Sequence, residues 1–356
     1  MNKTLINESF VMPAEFEKQK SVWVVWPHNK NDWPGHYETI PSTVAKIVST
    51  ISVTQKVNLI IRKTDRRDQI LKIISNVEYK KSNINFYKFE TDRIWIRDTG
   101  PIYVKRKKNN EKVILNFRFN GWSKYHDYKK DNLIPNLISK STRTKQINPN
   151  ILLNDKIYYP VLEGGAFDVN GKGTVLLTKE CLLGKKQERN PGFKKLDYQR
   201  FLNKYLGVSN FVWLNKGIKG DDTHGHIDDI SRFVSSNTIM TGIELNKKDE
   251  NYKLLNENLK ILKRSKNLNG KKFKIIEVPM PDAKYVDKIR VPASYLNFLI
   301  TNNLVILPIF KDKNDYKAIS IFKKYFKKRK IITIDCSKLI WGFGAIHCMT
   351  QQEPKI

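Results

Sequence analysis

Leu304-Val305-Ile306-Leu307-Pro308-Ile309, followed by Tyr316–Phe326 and then Ile331-Ile332-Thr333-Ile334, is the stretch from which the fold can be read. A short apolar run bounded by polar residues reads as a buried strand, the longer mixed stretch as a crossover helix, and the next β-branched run as a second strand. Toward the amino end the same order recurs: Thr238–Ile243, Asn251–Lys263 and Phe273–Val278; Thr174–Thr178, Lys195–Leu206 and Phe211–Leu214; Val113–Phe117, a helix near Asn132–Ser139 and Ile157–Val161; and Val57–Ile61 leading to Ile84–Phe89. Successive units start roughly sixty residues apart, longer than the common solenoid repeats. Five strand-helix-strand units predict an α/β fold with pseudo-fivefold closure, and no linker divides residues 1–356 into independent domains.

Composition narrows the function classes. Three cysteines without close pairing suggest neither a disulfide framework nor a zinc cluster, and they fit a reducing compartment. Met1–Asn7 lacks an apolar signal core and no apolar run is long enough to cross a bilayer, so a cytoplasmic protein with no membrane partner is expected. The formal net charge of +30 would attract phosphate, but the lysines are scattered among asparagine and isoleucine instead of forming one patch. Of the short basic runs, Lys105-Arg106-Lys107-Lys108 sits between Ile102-Tyr103-Val104 and Val113-Ile114-Leu115 and reads as a hairpin tip. The other, Lys323-Lys324 with Lys327-Lys328-Arg329-Lys330, reads as a solvated helix face. No specific nucleic-acid partner is expected, and a non-catalytic basic binding protein ranks last among the readings.

The residues able to do chemistry fall just after the second strand of the units: Asp92–Pro101 after the first, Leu162–Gly165 after the second, Asp221–Asp229 after the third and Gly342–Gln352 after the fifth. The fourth supplies only Lys288–Asn297, without an obvious catalytic group, and reads as lining for the entrance. If the units close around an axis, these segments meet at one end of it. Gly342 and Gly344 allow a positive φ and a close backbone approach, which suits display of the Cys348 thiol as a nucleophile. Asp98 before Thr99-Gly100-Pro101 could merely open a turn, and Glu163 before two glycines could be a solvated loop acid, although its apolar approach predicts burial with a partner. On a strand, His226 and Asp228 would share a face with Asp222 and His224. That set would also suit a metal, but the thiol offers the histidine another task. A thiol, a histidine and several carboxylates suit attack on a cationic, planar carbon, because carboxylates bind a guanidinium edge-on while the thiol approaches its face.

Six ordered motifs carry a resemblance beyond these residues: Met12–Glu17 with Val22–Pro27, Trp95–Pro101, Phe119-Asn120-Gly121-Trp122, Leu162–Gly165, Gly225–Asp228 and Ile346–Gln352. With them the chain resembles, nearly end to end, the agmatine deiminase and bacterial peptidylarginine deiminase group of guanidine-modifying, pentein-fold enzymes. The resemblance implies a five-bladed α/β propeller forming a single catalytic domain over 1–356. It implies Cys348 as nucleophile, His226 as general acid and base, and Asp98 with Asp228 as guanidinium clamps. Glu163 matches a further active-site acid, Trp95 a channel-lining aromatic, and Asp222 an acid near the substrate's distal amine. The implied reaction converts agmatine to N-carbamoylputrescine and ammonia through a covalent thiouronium intermediate, a step toward putrescine and the polyamines, with neither metal nor organic cofactor. The alternative is a citrulline-forming peptidylarginine deiminase or other guanidine hydrolase, which would want a cation to meet a substrate carboxylate; Arg118 could serve, although its position favours an ordinary strand-end charge. The expected partner is a small cationic guanidine, and a homo-oligomer is compatible with the sequence. Phe343 and Ala345 depart from the family pattern, where glycine and asparagine are common.

Overall fold

The computed structural model describes residues 9–356, and the Met1–Asn7 stretch lies outside the described residues. Five sheets share one pattern, in which a central strand pairs antiparallel with one neighbour and parallel with the other. Central strand Gln19–Val25 lies between Thr350–Pro354 and Lys56–Ile61, the latter extended in parallel by Ile84–Lys88. Lys112–Leu115 lies between Ile102–Arg106 and Lys145–Ile147, and Thr174–Thr178 between Phe167–Val169 and Asn210–Leu214. Thr238–Ile243 lies between Ser231–Ser235 and Lys274–Pro279, and Leu304–Ile309 between Leu299–Ile300 and Lys330–Asp335.

A parallel pair needs a long crossover, and a helix supplies it in each sheet. These are Ile40–Thr54, Ile134–Thr142, Lys195–Leu206, Glu250–Arg264 and Asp315–Tyr325. Ile40, Val44, Ile47, Val48 and Ile51 recur at helical spacing along the first and are all buried, so one stripe of that helix seats on its sheet. No helix is long and apolar enough to cross a membrane among the described residues.

The expected units are present, with two shifts. The first begins one strand earlier than read, at Gln19–Val25, so Val57–Ile61 is its second strand. In the second unit the parallel slot is filled by Lys145–Ile147, not by Ile157–Val161. Ile157, Tyr158 and Tyr159 are exposed, and Pro160 has no N–H to give a ladder. Only Val161 bridges Arg118, while Lys156–Tyr158 folds back on Ile151–Leu153 as a small hairpin. The basic hairpin tip is where it was expected, between Ile102–Arg106 and Lys112–Leu115. The last helix stops at Tyr325, so Lys327–Lys330 lie beyond the helix face to which they were assigned.

Candidate active site

Cys348, Asp98, Trp95 and Asp222 line one cavity of about 170 Å³, together with Trp122, Tyr125, Arg93 and Phe343. Cys348 and Asp98 are almost wholly buried, whereas Asp222 keeps partial exposure, so the thiol marks the deep end and Asp222 the mouth. The loop before the nucleophile differs in detail from the glycine reading. Positive φ falls on Phe343, at 63°, instead of on Gly342 or Gly344. The two glycines are needed for proximity: a Cβ on Gly342 would lie 2.6 Å from the Trp33 ring, and one on Gly344 would lie 2.5 Å from the Trp95 ring. Phe343 thus takes the left-handed backbone that favours glycine and sets its ring at the cavity wall.

The Asp98 carboxyl is not a turn opener. It sits in the single turn Ile96–Thr99 and accepts from Gly165 N at 3.0 Å and from Trp122 Nε1 at 2.9 Å. Burial, with the Asp228 and Glu163 carboxylates nearby, raises it to about 6 despite the opposing pull of His226. Asp228 lies on the 3-10 turn Ile227–Asp229, its Oδ2 is 3.7 Å from the Cys348 thiol, and its buried Oδ1 has no hydrogen-bond partner. The segment from Asp221 to Asp229 is therefore a tight turn, not a strand. His224 takes φ 66°, which breaks the alternation on which the four-residue metal set rested.

His226 is fully buried, with Nδ1 3.7 Å from Asp98, Nε2 3.9 Å from Glu163 and the Cys181 sulfur beside the ring. Burial opposes its protonation, but the Asp98 carboxylate, the neighbouring Cys181 sulfur and the Glu163 carboxylate prevail and hold it well above the usual imidazole range. The Asp221 carboxylate accepts from the backbone N–H of Gly225 at 2.7 Å and of His226 at 3.0 Å, so it shapes the turn that carries the histidine. Gly165 lets these groups converge: a Cβ there would meet His226 Nδ1 at 2.6 Å, Asp98 Oδ1 at 2.9 Å and Asp228 Oδ2 at 3.1 Å.

Glu163, expected as a further active-site acid, lies beside His226 and, like His226 and Asp228, is set back from the cavity lining. It is wholly buried, accepts from Arg189 Nε at 2.9 Å and is absent from the cavity wall. Burial raises its pKa less than the Arg189 and His226 charges lower it, so its carboxyl sits below the usual range and remains a carboxylate. Arg118 is not the cation of this cavity: its guanidinium stacks on Tyr159 at 5.0 Å and borders a separate groove.

Asn297, in the segment assigned only to the entrance, is the largest omission of the sequence reading. Its Nδ2 donates to Cys348 Sγ at 3.0 Å and to Asp229 Oδ1 at 2.9 Å, while its Oδ1 accepts from the Cys348 N–H at 3.2 Å. Burial raises the Cys348 thiol well above its ordinary value and the Asp228, Asp229 and Asp98 charges raise it further, with the Asn297 amide pulling the other way. His347, the histidine beside the thiol in sequence, is locked between Asp228 Oδ2 and Glu15 Oε2, each at 2.7 Å. Glu15 is in turn held by Arg232 at 2.7 Å and Arg97 at 3.4 Å, forming a buried frame under the site.

Residues 11–354 match the Porphyromonas-type peptidyl-arginine deiminase family. A relative from Legionella pneumophila (strain Paris) is 33% identical across 100% of this chain and 98% of its own. An agmatine deiminase from Pseudomonas aeruginosa (strain UCBPP-PA14) is 27% identical, with 98% of this chain and 96% of the relative covered. Among solved structures, the agmatine deiminase of Enterococcus faecalis superposes with a TM-score of 0.86 at 27% identity, over 97% of this chain and 96% of that one. A substrate-bound agmatine deiminase from C. jejuni gives 0.85 at 30% identity, over 100% and 99%. The chain belongs to the Porphyromonas-type peptidyl-arginine deiminase family.

Proposed function

We propose that this protein is an agmatine deiminase, hydrolysing agmatine to N-carbamoylputrescine and ammonia. The observation that carries the reading is the meeting of the Cys348 thiol with two buried acids, Asp98 and Asp228: His226 lies 3.7 Å from one and 4.0 Å from the other without a hydrogen bond to either, and Asp228 Oδ1 has no partner, so the pair can take a further positive charge. A guanidinium brings that charge and the edge-on donors together. Its arrival offsets the carboxylates that hold the thiol protonated, so Cys348 gives up its proton to solvent with substrate in place. The thiolate attacks the guanidinium carbon, the resident His226 imidazolium protonates one nitrogen of the tetrahedral adduct, and that nitrogen leaves as ammonia, so a covalent thiouronium intermediate remains. His226, now neutral, takes a proton from water as it attacks, and collapse expels the thiolate and leaves the ureido product. The repeated sheet pattern, with the strand after Cys348 paired to Gln19–Val25, supports closure into a five-bladed propeller around this site.

Purified protein incubated with agmatine, arginine and an arginyl peptide in the presence of a chelator is expected to release ammonia fastest from agmatine. Release from the arginyl peptide alone would overturn the assignment. The acid limb of the pH profile is a second test. Asp98 gains its proton as pH falls through about 6, losing its charge for the guanidinium, so kcat/KM for agmatine should drop below that pH. A flat profile from pH 7 to 5 would remove Asp98 as a charged clamp.

A further inference from the structure

The cavity mouth carries its own cation. Lys124 Nζ is hydrogen-bonded to Asp222 Oδ1, and Tyr125 OH donates to Asp222 Oδ2 at 2.7 Å, so both oxygens of the acid are engaged within the chain. The turn that presents Lys124 is unusual: Gly121, Trp122 and Ser123 all have positive φ, at 66°, 56° and 55°. Asn120 accepts from Ser123 N at 3.0 Å, and Gln187 Nε2 donates to the carbonyls of Trp122 and Asp222 at 3.1 Å each. Three successive left-handed residues held by side-chain hydrogen bonds form a fixed presentation, not a loose loop. The same turn holds Asp98 through Trp122 Nε1, so one strained element sets both the guanidinium clamp and the mouth.

We propose that Lys124 is a specificity-determining residue, an internal ammonium that competes with the distal ammonium of the substrate for Asp222. The proposal rests on the agmatine reading and deepens it. A substrate amine that reaches the mouth must displace Lys124 from Asp222 or share the carboxylate with a like charge beside it. Either requirement weakens discrimination for an amine-bearing guanidine over an uncharged chain of the same length. The neighbouring acids do not relieve this competition. Asp221 is engaged by Thr223, Gly225 and His226 N–H groups, and Asp229 is buried against Asn297.

The experiment compares kcat/KM for agmatine and n-butylguanidine in the wild type, Lys124→Met and Lys124→Arg. Lys124→Met is expected to raise the agmatine to butylguanidine ratio about tenfold, chiefly through a lower KM for agmatine, because a charge-assisted contact is released to the substrate. Lys124→Arg, which keeps the charge, should stay close to the wild-type ratio. An unchanged or lower ratio in Lys124→Met overturns the role of Lys124 while leaving the agmatine assignment intact. Failure of the wild type to turn over either guanidine overturns the assignment and this proposal with it.

Discussion

Cys348→Ala is expected to abolish ammonia release from agmatine, with a loss of at least about four orders of magnitude, because of the three thiols only that of Cys348 lines the cavity. The controls are the two remaining cysteines, both buried and free. Cys336→Ala and Cys181→Ala should retain turnover. Cys181 is the sharper control, since its sulfur lies within 4.8 Å of ligand atoms of both Glu163 and His226 and so abuts the machinery without facing the cavity. Mass spectrometry of the wild type under turnover should find the covalent adduct on Cys348. An adduct on Cys181, or substantial activity in Cys348→Ala, would displace the nucleophile.

The second large effect concerns the histidines. His226→Ala removes the proton donor for the leaving nitrogen and the acceptor for the attacking water, so kcat should fall by roughly 10²- to 10⁴-fold. His224→Ala should keep most of the activity, because its half-buried ring lies against Gly184, whereas His226 sits between Asp98 and Glu163. Equal losses in the two variants would point to a joint role, such as a shared metal site, and against the assignment of His226 alone. His347 is no substitute for His226 despite standing next to the thiol: burial and the charges of Arg232 and Arg97 keep its ring toward the neutral form, between two acids that it bridges.

What could be read from the sequence follows a physical division. Strand-helix-strand order is local, and the central strands Thr174–Thr178, Thr238–Ile243 and Leu304–Ile309 have the bounds that their apolar runs predicted. Ionisable groups beside glycines, such as Cys348, Asp98 and His226, announce themselves because burying them needs a reason. Asn297 does not, since a neutral amide in a loop is ordinary until its partner, 51 positions away at Cys348, is known. Glu163 was correctly read as buried with a partner, but its direction depends on Arg189 and His226, which only the folded chain brings to it. The expected second strand Ile157–Val161 shows the complementary failure. A local apolar run was present, yet Lys145–Ile147 reached the sheet first along the chain.

The pairing of Thr350–Pro354 with Gln19–Val25 bears on how the active protein forms. Ser21 Oγ donates to Glu353 Oε2 across 332 positions of chain, the kind of long-range closure that is slow because so much conformational freedom is lost before any contact rewards it. The four other sheets draw on nearer segments and can form beforehand, whereas the Arg97 backbone N–H that holds the Cys348 carbonyl at 3.1 Å is positioned only when the distant strand docks. Refolding from denaturant should therefore regain far-ultraviolet ellipticity before it regains enzymatic turnover, leaving a helical but inert species in the interval.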